Sequence, residues 1–310
     1  MLAARQYRTN AGHGATGWTA RLAEEVLGLG CNISHDFGVG NGSRFGKSDW
    51  QFPQMDHDTL YTAATILFVR DGADGLEVLM VERHANIGFA GGALVWPGGK
   101  IDSADADSGW LEAATGLSDH DDDERAARVG ALREGYEECG LLLATRDGRP
   151  VGAHAGSLTA MRQRVDKDAS LFQPLVRGHG LTLSTHELHA FARWIPPPAL
   201  HKRFDTRFYL ARLPEGQSAV QDGSEAVAII WIRPQDALDQ LAAGTRKIIF
   251  PTARNLELLA LSSSVEAAFA DLAMRPQGIV QPIIEGGALR IRDDLGYPFT
   301  EEKLEHALRG

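Results

Sequence analysis

Three glutamates, Glu134, Glu137 and Glu138, fall at i, i+3 and i+4 in a segment built to be helical, and any fold for this chain must accommodate them. Residues three and four apart share a helix face, so the carboxylates project together. Like charges so placed repel by a few tenths of a kcal/mol per pair, even in water. The segment carries its own boundaries. Asp121-Asp122-Asp123-Glu124 meets the positive end of the helix dipole, and Gly140 follows Cys139 as a C-terminal stop. Val129, Leu132, Tyr136 and Cys139 form the opposite stripe, which buries the helix. Arg133, four residues before Glu137, is placed to hold that carboxylate. An exposed acidic face is the bland reading of such a cluster. The sharper one is a hard divalent cation, since Mg²⁺ takes oxygen ligands and accepts substrate phosphates beside them. Gly98-Gly99, just after a short strand, provides a turn that can offer a carbonyl to the same ion.

The rest of the chain reads as mixed strands and helices from Leu60 onward, which makes the class α/β or α+β. Thr62–Val69 and Glu77–Val81 form a hairpin across Asp71–Gly75, and Ala93–Trp96 is a third strand. After the acidic helix come a strand-like Leu141–Ala144, a helix over Leu158–Val165, and strands at Phe191–Ile195, Arg207–Ala211 and Ala226–Ile232. Pro234–Ala242 and Thr252–Leu261 read as helices, and Pro276–Pro298 as short strands and turns. Residues 1–57 are glycine-punctuated and lack apolar periodicity, so they read as a poorly ordered extension. The main domain is then expected over 58–265, with 266–310 a C-terminal extension packed on it. Gly38-Val39-Gly40-Asn41-Gly42 is no nucleotide loop, having no strand before it and no helix after. His186 and His189 are three apart, not the four of a zinc-protease helix.

Charge narrows the partners. Of 310 residues 31 are basic and 41 acidic, a net charge of −10. Such a chain binds nucleic acid or anionic membrane poorly unless it recruits local cations. Two cysteines exclude a disulfide framework and suit a reducing compartment. With no apolar run near 20 residues and no apolar leader, the expected location is cytoplasmic. A homodimer is compatible with all of this.

Arg133-Glu134-x-x-Glu137-Glu138-x-Gly140-Leu141, preceded by Trp96-Pro97-Gly98-Gly99, resembles the signature of the Nudix hydrolase superfamily. The family places 13 residues between the second glycine and the arginine, as five, a glutamate and seven. Here 33 intervene, so an insertion of 20 sits near 100–122 and the front-half glutamate is unassigned. Position 135, normally bulky, is Gly, a cost of roughly 1 kcal/mol against alanine. The long insertion, with Gly-Phe-Ala-Gly-Gly at 88–92 and Arg-Phe-Asp-Thr-Arg-Phe at 203–208, is similar to a branch that includes a eukaryotic coenzyme A diphosphatase.

The resemblance implies an α/β/α sandwich around a mixed sheet, and Mg²⁺- or Mn²⁺-dependent hydrolysis of a nucleoside diphosphate joined to another group. It implies Glu134, Glu137, Glu138 and the Gly98 carbonyl as metal ligands, with Arg133, Glu137 and Glu138 in the catalytic set. Gln221–Glu225, ahead of a strand, resembles the loop where relatives carry a general base, making Glu225 a candidate against a plain surface turn. Arg83 ends the second strand near the glycine-rich loop and is a candidate for the nucleotide phosphates. Arg203 and Arg207 are further phosphate candidates, against pairing with the intervening Asp205. The competing class is a non-catalytic nucleotide sensor, which has no need of a costly charge cluster. An RNA-end diphosphatase is disfavoured by the charge.

Overall fold

The computed structural model describes residues 60–84, 92–197, 203–221 and 226–304. The expectations for residues 1–57, for most of the 88–92 run and for Glu225 lie outside them.

The apolar runs read from the sequence become a mixed sheet. Strand β1 (Leu60–Gly72) turns at Gly75, with φ at +116°, into β2 (Gly75–Arg83). Short strands β3 (Leu94–Val95) and β4 (Gly98–Lys100) add to β2 and β1. Later strands β9 (His189–Trp194), β10 (Arg203–Arg212), β11 (Ala226–Ile232) and β12 (Ile279–Val280) complete it in the order β11-β2-β1-β10-β9-β12. At its centre β1 and β10 run parallel, Leu60 opposite Arg203 through Val69 opposite Arg212. Two smaller sheets lie outside it. Strands β5 (Ala114–Thr115), β6 (Ala144–Arg146), β7 (Arg149–Pro150) and β8 (Thr182–Ser184) form one, and β13 (Ile283–Glu285), β14 (Ala288–Arg290) and β15 (Glu301–Lys303) the other.

Side-chain alternation gives the central sheet two buried faces. Ile66, Phe68, Leu79, Val81 and Tyr209 pack with Val129, Leu132, Tyr136 and Cys139 of the acidic helix, Asp122–Cys139. Leu67, Val69, Val78, Met80, Phe208 and Leu210 pack with the helices Pro234–Ala242, Phe250–Leu259 and Val265–Met274 on the other side. The architecture is therefore the expected α/β/α sandwich. In chain order the helices are α1 (Trp110–Ala113), α2 (Asp122–Cys139), α3 (Arg162–Lys167), α4 (Phe172–Gly178), α5 (Pro234–Ala242), α6 (Phe250–Leu259) and α7 (Val265–Met274).

Three local expectations are corrected. Leu141–Ala144 is not a strand until Ala144. The buried Gln217 amide takes the strand partner's place, accepting from Leu142 N at 2.9 Å and donating to its carbonyl at 2.8 Å. The Leu158–Val165 helix is a 3₁₀ turn over Gly152–Met161 that becomes α only at Arg162. Helix α7 was not foreseen; Ser264 caps it, accepting from Ala267 N.

Helix α2 lies unusually close to the sheet at Gly135. A Cβ there would stand 3.0 Å from the Phe68 ring and 3.4 Å from Ile66. The missing side chain at a normally bulky position is what admits the ring. Gly135→Leu should therefore destabilise the protein by about 1–3 kcal/mol, read as a lower urea midpoint at unchanged slope.

Candidate active site

Asp121 caps α2, its carboxylate accepting from Glu124 N at 2.8 Å, and Gly140 ends it at φ +69°. The residues that matter lie in the last two turns, against β4. Their centre is Arg133, whose side chain is 5% exposed. Nε donates to Asp105 Oδ1 at 2.9 Å, and Nη2 to Asp105 Oδ2 at 3.0 Å and the Lys100 carbonyl at 2.9 Å. Nη1 donates to Glu134 at 3.0 Å and to Glu137 at 2.9 Å. All five guanidinium N–H groups are spent.

Asp105 comes from a short 3₁₀ turn, Ser103–Ala106, where Asp102 and Asp105 cap each other reciprocally. The segment that follows is packed, not loose. Trp110 donates to the Ala104 carbonyl at 2.9 Å, and its ring stands 5.5 Å from Phe172, which in turn stacks on Tyr136 of α2 at 5.8 Å. Two glycines make room for the carboxylates. A Cβ on Gly99 would lie 2.5 Å from Glu134 Oε1, and one on Gly130 would lie 3.0 Å from Asp105 Oδ2.

Glu134, Glu137 and Glu138 share a cavity of about 330 Å³ with Gly98, Gly99 and Lys100. A second cavity of about 240 Å³ is walled by Trp96, Trp194, Phe204, Thr206 and Phe208. Arg83, Gly98, Gly99 and Lys100 line both. An acidic chamber thus opens beside an aromatic one, with two cations on the common wall.

A family model described as the NUDT19 Nudix domain matches residues 117–258. The crystal structure of a NUDIX hydrolase from Alicyclobacillus acidocaldarius superposes with a TM-score of 0.60 at 28% identity, covering 68% of this chain and 96% of that one. Family model and fold alike make the chain similar to Nudix hydrolases. Acyl-coenzyme A diphosphatase NUDT19 of Homo sapiens is 28% identical over 242 residues, 64% of each protein. Its counterpart in Gallus gallus is 26% identical over 210 residues, 53% of this chain and 56% of that one. The chain spans less than two thirds of the length of these curated relatives.

The Nudix pattern explains a residue that the sequence reading left unassigned. Asp105 stands six positions after Gly99, where five intervening residues lead to the family's glutamate. The excess therefore lies wholly between Asp105 and Arg133, where 27 residues replace seven. The signal was that spacing; the shorter acid in place of glutamate hid it.

Arg83 lines both cavities and Glu138 faces the acidic one, but Arg203 and Arg207 line neither. Alternation along β10 sends Phe204 and Thr206 into the aromatic cavity and turns the two arginines to the α2 face. Arg207 is buried there beside Glu124, Nε to Oε2 3.4 Å. Glu124 is ten residues before Glu134, about 15 Å along the helix, so this cation cannot reach the chamber. Asp205 pairs with Arg193, Nε to Oδ1 2.8 Å, and not with Arg203 or Arg207. Asp102, Asp166 and Lys167 also line the acidic cavity and were not foreseen.

Among the described residues no three acidic, histidine or cysteine groups form a ready-made metal cage. Glu134 and Glu137 are turned onto Arg133 instead. The side chains nevertheless suit a hard cation: every candidate ligand offers oxygen, and one guanidinium faces three buried carboxylates. Burial pushes Glu134 up to about 8 and Glu137 up to about 7, although Arg133 pulls both down. Burial likewise raises Asp105.

Both glutamates thus bind protons more tightly folded than unfolded, where the value is 4.5. Their contribution to stability is complete below pH 4.5 and lost as pH rises through about 7 to 8. In chelator the melting temperature should fall across that window, and Glu134→Gln should flatten the slope. Asp105→Asn removes one carboxylate charge from the Arg133 fork and should cost about 1.5–3 kcal/mol in urea unfolding.

Proposed function

We propose that this chain is a metal-dependent hydrolase that cleaves the diphosphate linkage of a nucleoside diphosphate joined to another group, with coenzyme A derivatives as the leading substrate class. The observation that carries this reading is the acidic chamber sharing Gly98, Gly99, Arg83 and Lys100 with an aromatic cavity. A diphosphate fits the first while an attached ring or apolar group fits the second. The names of the curated relatives support the substrate class.

Glu134, Glu137, Glu138 and the Gly98 carbonyl would hold Mg²⁺ or Mn²⁺. The ion supplies positive charge and Lewis acidity against the phosphates. Glu138 is central, because it lines the acidic cavity one turn after Glu134 and beside Gly98 and Gly99. Arg133 fixes Glu134 and Glu137 at a set separation, so their positions are not reorganised on binding. Arg83 and Lys100 hold the phosphate next to the aromatic cavity. A carboxylate must accept the proton of the attacking water, and Glu225 is the assigned acceptor. Strand β11 begins at Ala226 opposite Arg83, which supports that assignment.

The test is an assay of coenzyme A, an acyl-coenzyme A, ADP-ribose and a dinucleoside polyphosphate, with product analysis. Cleavage at the diphosphate should vanish in EDTA and return with Mg²⁺ or Mn²⁺; full activity in chelator would overturn the reading. Glu138→Gln should lower kcat by about two or more orders of magnitude, while its melting temperature in chelator stays level or rises, since a repelling charge is gone.

A further inference from the structure

Lys167 ends helix α3, and the anchoring of that helix gives the residue a fixed place. Arg162, at the start of α3 and 2% exposed, donates from Nε and Nη2 to the Glu137 carbonyl at 3.2 and 2.9 Å. Its Nη1 reaches the Val220 carbonyl at 2.7 Å. Val165 is fully buried between them, and Asp168 closes the turn through its N–H to the Arg164 and Val165 carbonyls. One residue of α2 therefore has its carboxylate in the acidic chamber and its carbonyl bolted to α3. That bolt carries Asp166, Lys167 and Ala169 to the chamber wall.

The charge on that wall poses a problem for a diphosphate. Asp102, Glu134, Glu137, Glu138 and Asp166 line the chamber, against the cations Arg83, Lys100, Lys167 and Arg133. Arg133 has no donor to spare. Arg83 and Lys100 stand on the wall shared with the aromatic cavity, and Lys100 lies over the Tyr61 ring at 4.4 Å. They serve the phosphate adjoining that cavity. The second phosphate then lies among the carboxylates, where a bound divalent ion offsets only part of the repulsion. Lys167 is exposed, forms no ion pair among the described residues, and is the one lining cation there that comes from α3.

The geometry points to Lys167 as a substrate-binding residue: its ammonium group takes the phosphoryl group on the far side of the scissile linkage from the aromatic cavity. This rests on the proposed diphosphate substrate. A lysine suits the role because an ammonium is a compact point charge that binds phosphate without a fixed planar geometry. Arg162 is then a positioning residue, setting where the ammonium stands.

The experiment compares Lys167→Ala, Lys167→Arg and, as a control, Lys303→Ala on the exposed strand β15. With Mg²⁺ and coenzyme A, Lys167→Ala should raise KM about tenfold while kcat changes less than about threefold. Lys167→Arg should recover most of the loss, and Lys303→Ala should match the parent. Inorganic pyrophosphate with Mg²⁺, titrated calorimetrically, should bind Lys167→Ala about tenfold more weakly, with the difference shrinking at high salt. A Lys167→Ala protein with parental KM and parental pyrophosphate affinity overturns the assignment and leaves the hydrolase reading intact. A parent that cleaves nothing yet binds pyrophosphate through Lys167 keeps the assignment and sinks the hydrolase reading. A parent that neither cleaves nor binds overturns both.

Discussion

The Arg133 fork is the interaction on which the rest of the site depends. A guanidinium with every N–H engaged joins three separate parts of the chain: the Ser103–Ala106 turn through Asp105, strand β4 through the Lys100 carbonyl, and helix α2 through Glu134 and Glu137. Burial alone disfavours that charge, and the Asp105 bonds and surrounding carboxylates more than offset it. The balance is asymmetric, since one positive group serves three negative ones. Further positive charge would therefore favour the ionised form of these carboxylates, which suits a group that must bind a cation and a polyanion together.

Space for this arrangement comes from glycines as much as from charge. Gly99 leaves the volume that the Glu134 carboxylate occupies, Gly130 does so for Asp105, and Gly135 lets α2 sink onto Phe68. Each loss of a side chain weakens local structure slightly, and each is offset by a contact that no larger residue permits. The long insertion obeys the same economy. It follows the buried Asp105 and packs through Trp110 against Phe172, which stacks on Tyr136 of the helix that carries the glutamates.

The sheet separates the two demands of a diphosphate with an attached group. One face receives α2 and its charges, and the other receives α5, α6 and α7 over an apolar core. Strand β4 pairs with β1 at Ala63–Thr65, and its glycines line both an acidic and an aromatic cavity. Helix α3 adds a third wall, joined to α2 by Arg162. The chamber is thus built from residues far apart in sequence but tied to the same two turns of α2.

Much of this was legible in the chain. The i, i+3, i+4 glutamates, the apolar stripe of Val129, Leu132, Tyr136 and Cys139, the Gly140 stop and the strands at β1, β2 and β11 follow from periodicity, which depends only on local geometry. Residues whose roles depend on which way a strand faces, or on a distant partner, were not. Arg203 and Arg207 look like a basic patch in sequence, yet one-residue alternation in β10 turns them away from the site. Asp105 looks like one acid among many, and only closure of the Ser103–Ala106 turn onto α2 makes it the Arg133 partner. Asp166 and Lys167 sit in an unremarkable helix that long-range bonds from Arg162 swing onto the chamber wall. The sequence by itself determined the helix and its charges, because a helix repeats on the scale of neighbouring residues. Only tertiary packing decided which other charges meet them, because those meetings cross 25 or more positions and are set by where the sheet and its layers close.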